Sequence, residues 1–337
     1  MFLIDRYLRK KEEQEAQVDE EYKDCGRFRL SRFTGPRDQE FDSLEAMSVA
    51  AREVVARADE FYAETGAASD FRLEGTKLGF KSALTDGTVN DRVEVEIYAR
   101  GSSRKRAVVI IPHWNAPPGA YTAIGSVLAL AGFTAYVVTL PHHGSRSASG
   151  PPKIANDFLN ADLGTAIRSV RQSVCDVRSL ISWLSDNGAG EIHIVGVSLG
   201  SCIASLVTAF EPRISKSCLL LTAGDFAETV WRGRATRHIR AAIDSHIDLA
   251  RLRQIWAIIG PGNFAGRFQA NSSRLLIVSG KIDEVVPFDE ASRFVDGLRA
   301  AGTDPKWLVL PCGHYTLSYF PFSWLSLLRT IRFLRAA

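Results

Sequence analysis

The sequence predicts an α/β protein in which a mostly parallel sheet is covered by helices on both faces. Two observations predict it. Continuous apolar runs recur along the chain, as strands buried on both faces require, and segments of helical period separate them, as parallel crossovers require. A third sets the scale: 337 residues, 46% apolar and 23% charged, are enough to bury one large core.

Taken in order, the N-terminal stretch YLRKKEEQEAQVDEEYK alternates blocks of charge and reads as a solvated helix or a frayed arm. Asp5 and Arg6 interrupt the apolar start Phe2-Leu3-Ile4, so no secretory leader is expected, and the acidic residues that follow oppose a membrane-surface anchor. FDSLEAMSVAAREVVARADEFYAETG sets Leu44, Met47, Val54, Ala58 and Phe61 near a 3.6 period, with Asp42 and Glu45 as a capping box and an end near Gly66. These features divide the chain into a helical arm, 1–66, and one domain, 67–337. FRLEGTKLGF and RVEVEIYA alternate as half-buried strands, and AVVIIP is the first run suited to burial on both faces.

From there strand and helix alternate. YTAIGSVLALAGF is helical, TAYVVTL a strand, LGTAIRSVRQSVCDVRSLISWLSDNG a long helix, and EIHIVGV a strand. A helix from Leu199, the strand SCLLLTA and a helical excursion follow, the last predicting a small cap over about 225–261. RLLIVSG, DEASRFVDGLRAAG, KWLVLP and FSWLSLLRTIRFL close the chain as strand, helix, strand and helix.

A net charge of +3 with scattered Lys and Arg offers no stripe for nucleic acid. The five cysteines are widely spaced without a CxxC pair, which points to reduced thiols and a cytoplasmic protein. No apolar run is long enough to span a bilayer. No His, Asp or Glu group has ligand spacing, so neither a metal nor a cofactor is expected.

Within this frame Gly196-Val197-Ser198-Leu199-Gly200 carries chemistry. The string is weak alone, because glycine and serine are common at turns. Its position changes that: Ser198 stands at the C-terminal end of a buried strand and at the start of a helix, the edge where open α/β sheets place ligands. Small flanking residues suit a crowded turn, and the positive end of a helix favours a developing oxyanion. A serine nucleophile needs a base, and the base needs an acid to orient it. LLIVSGKIDEVVP sets Asp283 just past one later strand, and WLVLPCGHYTLS sets His314 just past the next.

With GVSLG, GKIDEVVP and GHYT in this order, the chain resembles the α/β-hydrolase family from about residue 70 to its end. The resemblance implies Ser198 as nucleophile, Asp283 as orienting acid and His314 as general base. It also implies an oxyanion hole from the N–H of Leu199 and of Asn115, in a loop where His113 matches the family's His-Gly-x motif. Trp114 departs from that motif, where glycine is usual. Its indole either walls the pocket, the favoured expectation, or packs beneath the site. LPHHGSRS matches the loop after the next strand, where His142 and Arg146 are extra polar groups and candidates to line the pocket; for His113, His142 and His143, hydrogen bonds that shape the loops are favoured over proton transfer.

Alternatives stay open at this point. Asp225 and Glu284 compete with Asp283, and Phe226, Trp231 and Trp256 either wall the acyl pocket or pack the cap onto the core. His193 reads as a core or edge residue, His238 and His246 as part of a solvated face, and Cys202 as packing. The implied activity is hydrolysis of a small-molecule carboxylic ester through an acyl-enzyme. Acyl transfer, amide cleavage and a silent hydrolase-like binding protein share the same motifs.

Overall fold

The structure, a computed structural model, describes residues 2–20, 23–35, 38–63, 68–101, 105–148, 155–268 and 274–336. The expected boundary between arm and domain at 66 and 67 lies outside the described residues. Among them, nine strands form one sheet in the order β1-β2-β3-β5-β4-β6-β7-β8-β9. β1 (Ser69–Glu74), β2 (Lys77–Lys81) and β3 (Arg92–Tyr98) pair antiparallel, and β3 joins β5 (Thr134–Val138) antiparallel as well. FRLEGTKLGF, expected as one strand, is therefore most of a hairpin, because Gly75 takes φ +61° between β1 and β2. The rest of the sheet is parallel: β4 (Arg106–Ile111), β6 (Glu191–Val197), β7 (Ile214–Leu220), β8 (Leu275–Gly280) and β9 (Lys306–Leu310).

Two apolar cores flank the sheet, one on each face. Side chains alternate across a strand, so Val109 and Ile111 of β4 join the larger core while Val108 and Ile110 join the smaller. The larger core receives α2 (Leu44–Ala56), α3 (Ala58–Phe61), α5 (Leu163–Asp186), α6 (Leu199–Phe210) and α10 (Phe288–Ala300). The smaller receives α4 (Thr122–Leu130) and α11 (Phe322–Arg335). Ser43, rather than Asp42, caps α2 by accepting the Ala46 N–H. The cap is helical as expected and holds α7 (Phe226–Arg232), α8 (Arg237–Ile243) and α9 (Leu249–Ile255).

The N-terminal helix α1 (Phe2–Glu20) departs from the expectation of a solvated arm. Leu8 is buried in the smaller core and Ala16 is buried as well. The segment 44–61 likewise belongs to the main core, with Met47 and Ala51 fully buried. Charge dominates the composition of α1, but its few apolar residues and three of its glutamates meet partners supplied by distant parts of the chain.

Candidate active site

The turn from β6 to α6 gives Ser198 an unusual backbone, φ 54° and ψ −120°, a conformation a side-chain-bearing residue adopts at a cost of about 1–3 kcal/mol. Its neighbours show why glycine flanks it. A Cβ on Gly196 would lie 2.3 Å from the Gly200 carbonyl oxygen, and one on Gly200 would lie 2.1 Å from the Ile111 oxygen. The Ser198 N–H donates to Leu220 O at 2.9 Å, pinning the turn to β7, and Ser201 Oγ donates to Ser198 O at 2.6 Å.

The loop after β8 brings Asp283 to this turn with 6% of its surface exposed. Its Oδ1 accepts the N–H groups of Val285 and Val286, both at 2.8 Å, which fixes the carboxylate plane. Oδ2 lies 2.8 Å from His314 Nδ1, and His314 Nε2 lies 3.0 Å from Ser198 Oγ. A carboxylate accepts only, so Nδ1 carries the proton and Nε2 faces the serine hydroxyl as acceptor. The competing carboxylates are engaged elsewhere. Asp225 caps α7 through the Glu228 N–H at 2.9 Å and pairs with Arg253 at 2.7 Å, and Glu284 stands 3.6 Å from Arg234.

One buried residue at this site was invisible in the sequence. Glu12 of α1 accepts the Thr316 N–H at 2.6 Å and the Tyr315 N–H at 3.3 Å, immediately after His314. The fit is close: a Cβ on Gly313 would come 2.3 Å from the Glu12 carboxyl carbon. Tyr319 donates to Glu15, and Arg234 of the cap grips Glu13 with two contacts of 2.5 and 2.7 Å. No sequence signal marks Glu12, because its partners lie about three hundred residues downstream.

The loop after β4 holds the oxyanion candidates. Tyr121 Oη accepts the His113 N–H at 3.1 Å and lies 2.8 Å from His113 Nδ1, so the histidine is tied into the loop. Asn115 sits at φ +63°, and its N–H donates to His143 Nε2 at 3.1 Å. His143 Nδ1 lies 2.7 Å from Pro141 O, and burial pushes its pKa down to about 4, so the ring is a neutral acceptor toward Asn115. This corrects the expectation for Asn115: its N–H is already committed. The Trp114 main-chain N–H, by contrast, makes no hydrogen bond among those of the described residues, and the Leu199 N–H opens α6 directly after Ser198.

Arg146 and His142 also differ from expectation. Arg146 is fully buried, donates to Asn90 O and Thr139 O, and meets Asp176 at 2.9 Å in the core. The pair anchors the loop after β5 to α5. Neither Arg146 nor His142 borders the cavities at Ser198, and the His142 N–H donates to Asn90 Oδ1 at 3.1 Å.

Two cavities meet at Ser198. One, about 730 Å³, runs between α4 and α11, and the other, about 80 Å³, lies under the cap. Trp114 borders both. Its Nε1 donates to Ala155 O at 3.1 Å, His238 stacks on its ring, and the Lys23 ammonium stands 5.2 Å from its centroid. Trp114 is thus a wall residue of both cavities with its indole held from behind, and His238 is packed against that ring instead of lying on a purely solvated face. Phe226 walls the small cavity, whereas Trp256 is buried with its Nε1 on Leu163 O, and Trp231 pairs with Arg240 away from both. Cys202 also borders the small cavity, with burial pushing its thiol pKa up to about 12, so it contributes packing and not a thiolate.

Comparison with known proteins places the fold. The sequence model described as "Alpha/beta hydrolase family" matches residues 108–323. Two uncharacterized proteins of Mycobacterium tuberculosis, from strains CDC 1551 and H37Rv, are each 34% identical over 108 residues, 32% of this chain. The match spans about a quarter of those relatives, 26% of their length. Among solved structures, acetyl xylan esterase 1 from Thermoanaerobacterium sp. JW/SL YS485 superposes with a TM-score of 0.64 at 15% identity, covering 88% of this chain and all of that one. The acylaminoacyl peptidase of Pyrococcus horikoshii gives 0.55 at 13% identity, covering 78% of this chain and 40% of that one. At such identities these structures share the fold.

Proposed function

Because the chain belongs to the α/β-hydrolase family, we propose that it is a serine hydrolase that cleaves a carboxylic ester through an acyl-enzyme. The observation that carries this reading is the continuous relay Asp283–His314–Ser198, with links of 2.8 and 3.0 Å. His314 Nε2 takes the Ser198 proton as Oγ attacks the ester carbon, and Asp283 stabilises the imidazolium without accepting the proton. The Leu199 and Trp114 N–H groups receive the negative charge on the carbonyl oxygen, helped by the positive end of α6. The C–O bond then breaks, His314 returns the proton to the leaving alcohol, and water repeats the sequence to release the acid.

No helix among the described residues is long and apolar enough to cross a membrane. The five free cysteines, four of them buried, support a reducing compartment, and we place the protein in the cytoplasm on that basis.

The test is Ser198→Ala with a short-chain p-nitrophenyl ester. Loss of a triad member costs on the order of 10⁴ in rate, while alanine also fits the turn. A folded variant that keeps more than about a hundredth of the wild-type rate refutes the assignment.

A further inference from the structure

The two cavities are unequal in size and in what borders them. Ser198 and Trp114 border both; His314 borders only the large one, and Leu199, an oxyanion donor, borders only the small one. During acylation the leaving oxygen has to lie within hydrogen-bond reach of His314 Nε2. The alcohol part of the ester is therefore directed into the large cavity, and the acyl group points the opposite way, into the small one.

Volume and chemistry then define each part. The small cavity, about 80 Å³, is roughly a ninth of the large one, about 730 Å³ on the same measure, so it takes much the smaller part of the ester. That suits an acetyl or propionyl group. The large cavity, about 730 Å³, falls within the range of roughly 300–1,000 Å³ that holds drug-sized ligands. Ser323 and Thr330 both border it, so it extends about two turns, roughly 10 Å, along α11. Its walls are Ile124 and Val127 of α4, Trp324 and Leu327 of α11 and Val195 of β6, and among the described residues Glu15 is the charged side chain that lines it. Several of its polar groups are satisfied internally: Ser318 Oγ donates to Tyr315 O, Ser326 Oγ to Ser323 O, and Tyr319 to Glu15.

We propose that the substrates are short-acyl esters of large apolar alcohols, with the alcohol seated between α4 and α11 and the acyl group under Phe226. This rests on the serine-hydrolase reading above. The products are a free apolar alcohol and acetate or propionate, formed with consumption of one water.

Octyl acetate and ethyl octanoate test it, because they are isomers of matched hydrophobicity that differ only in which side of the ester is long. The expected result is a kcat/KM at least tenfold higher for octyl acetate. Val127→Trp, which fills the large cavity, should lower that ratio about tenfold, whereas Phe226→Ala should lower it by admitting octanoyl. Independently of turnover, 1-octanol should raise the melting temperature of the wild type and compete with a fluorophosphonate for Ser198, and sodium octanoate should do neither. Equal rates, or a preference for ethyl octanoate, overturn the proposal. If a fluorophosphonate labels Ser198 in that case, the nucleophile reading survives and only the cavity assignment falls. If Ser198 stays unlabelled and neither ester is cleaved, both fall.

Discussion

Replacing Glu12 by alanine tests whether α1 is part of the catalytic apparatus. The Glu12 carboxylate accepts two N–H groups from the residues that follow His314, one at 2.6 Å and one, weaker, at 3.3 Å. Hydrogen bonds to a charged group contribute about 1.5–3 kcal/mol each, and a buried donor left unpaired costs about 1–3 kcal/mol. Counting the long bond as minor, removal should destabilise the His314 loop by about 2–4 kcal/mol. The domain is large, and its stability is spread over two cores, so it should remain folded with its melting temperature lowered by roughly 3–6 °C. The loop, however, positions His314, the proposed general base. A misplacement of about 1 Å at a reacting group costs on the order of 100-fold in rate. Glu12→Ala should therefore lose 10- to 100-fold in kcat with little change in KM, and fluorophosphonate labelling of Ser198 should slow by a similar factor. Glu12→Gln, which keeps one acceptor oxygen, should recover part of the loss. A Glu12→Ala protein with lowered melting temperature but wild-type kcat and labelling rate would show that Glu12 stabilises the fold without positioning His314.

Asp283→Asn should reduce kcat by roughly 10⁴, since an amide presents the wrong tautomer partner to His314, while Asp225→Asn should change kcat little; a dead Asp225→Asn enzyme moves the acid to α7. Trp114→Ala should remove a wall residue of both cavities and weaken discrimination between octyl acetate and ethyl octanoate by about 1–3 kcal/mol; an unchanged ester profile with a lowered melting temperature means the indole only packs the loop. His143 gives a pH signature. Burial holds its folded pKa at about 4, below the ordinary 6.5, so unfolding takes up a proton between these values. Stability is then full above pH 6.5 and falls toward pH 4 by about 3 kcal/mol. Guanidinium midpoints at pH 7.5 and 4.5 should show a smaller acid loss in His143→Asn than in the wild type, and equal losses refute the assignment.

The sheet and the three residues of the relay were legible because their signals are local. A buried parallel strand is a continuous apolar run, and GVSLG, Asp283 and His314 each lie within a few residues of a strand's end, where topology fixes their edge of the sheet. The hairpin of β1 and β2 was missed because Gly75 alone reverses a stretch whose alternation looks unbroken. Arg146 was misread for a similar reason: an arginine in a loop beside a histidine pair suggests a pocket, and nothing nearby reveals that Asp176 and two carbonyls await it in the core. Asn115 could not be excluded from the sequence either, since its N–H is withdrawn by His143, a residue twenty-eight positions away.

The same logic applies most strongly to α1. Its charge blocks are what a solvated helix carries, and periodicity says nothing about whether a glutamate has a partner. In the fold, Arg234 joins three regions: it grips Glu13 of α1, stands 3.6 Å from Glu284 beside the acid, and its own N–H donates to Glu284 O at 2.8 Å. Arg234 is only 9% exposed, but Glu13 and Glu284 are each about half exposed, so solvent screens the ion pairs in part and it is the joint set of contacts that ties the cap to α1 and the Asp283 turn. Lys23 extends the seam, donating to Ala235 O at 2.7 Å while lying over Trp114. Helix α1 therefore links the base loop, the acid turn and the cap. A cap fastened in this way differs from a free lid, because opening it would require breaking the Arg234 contacts together with those of α1.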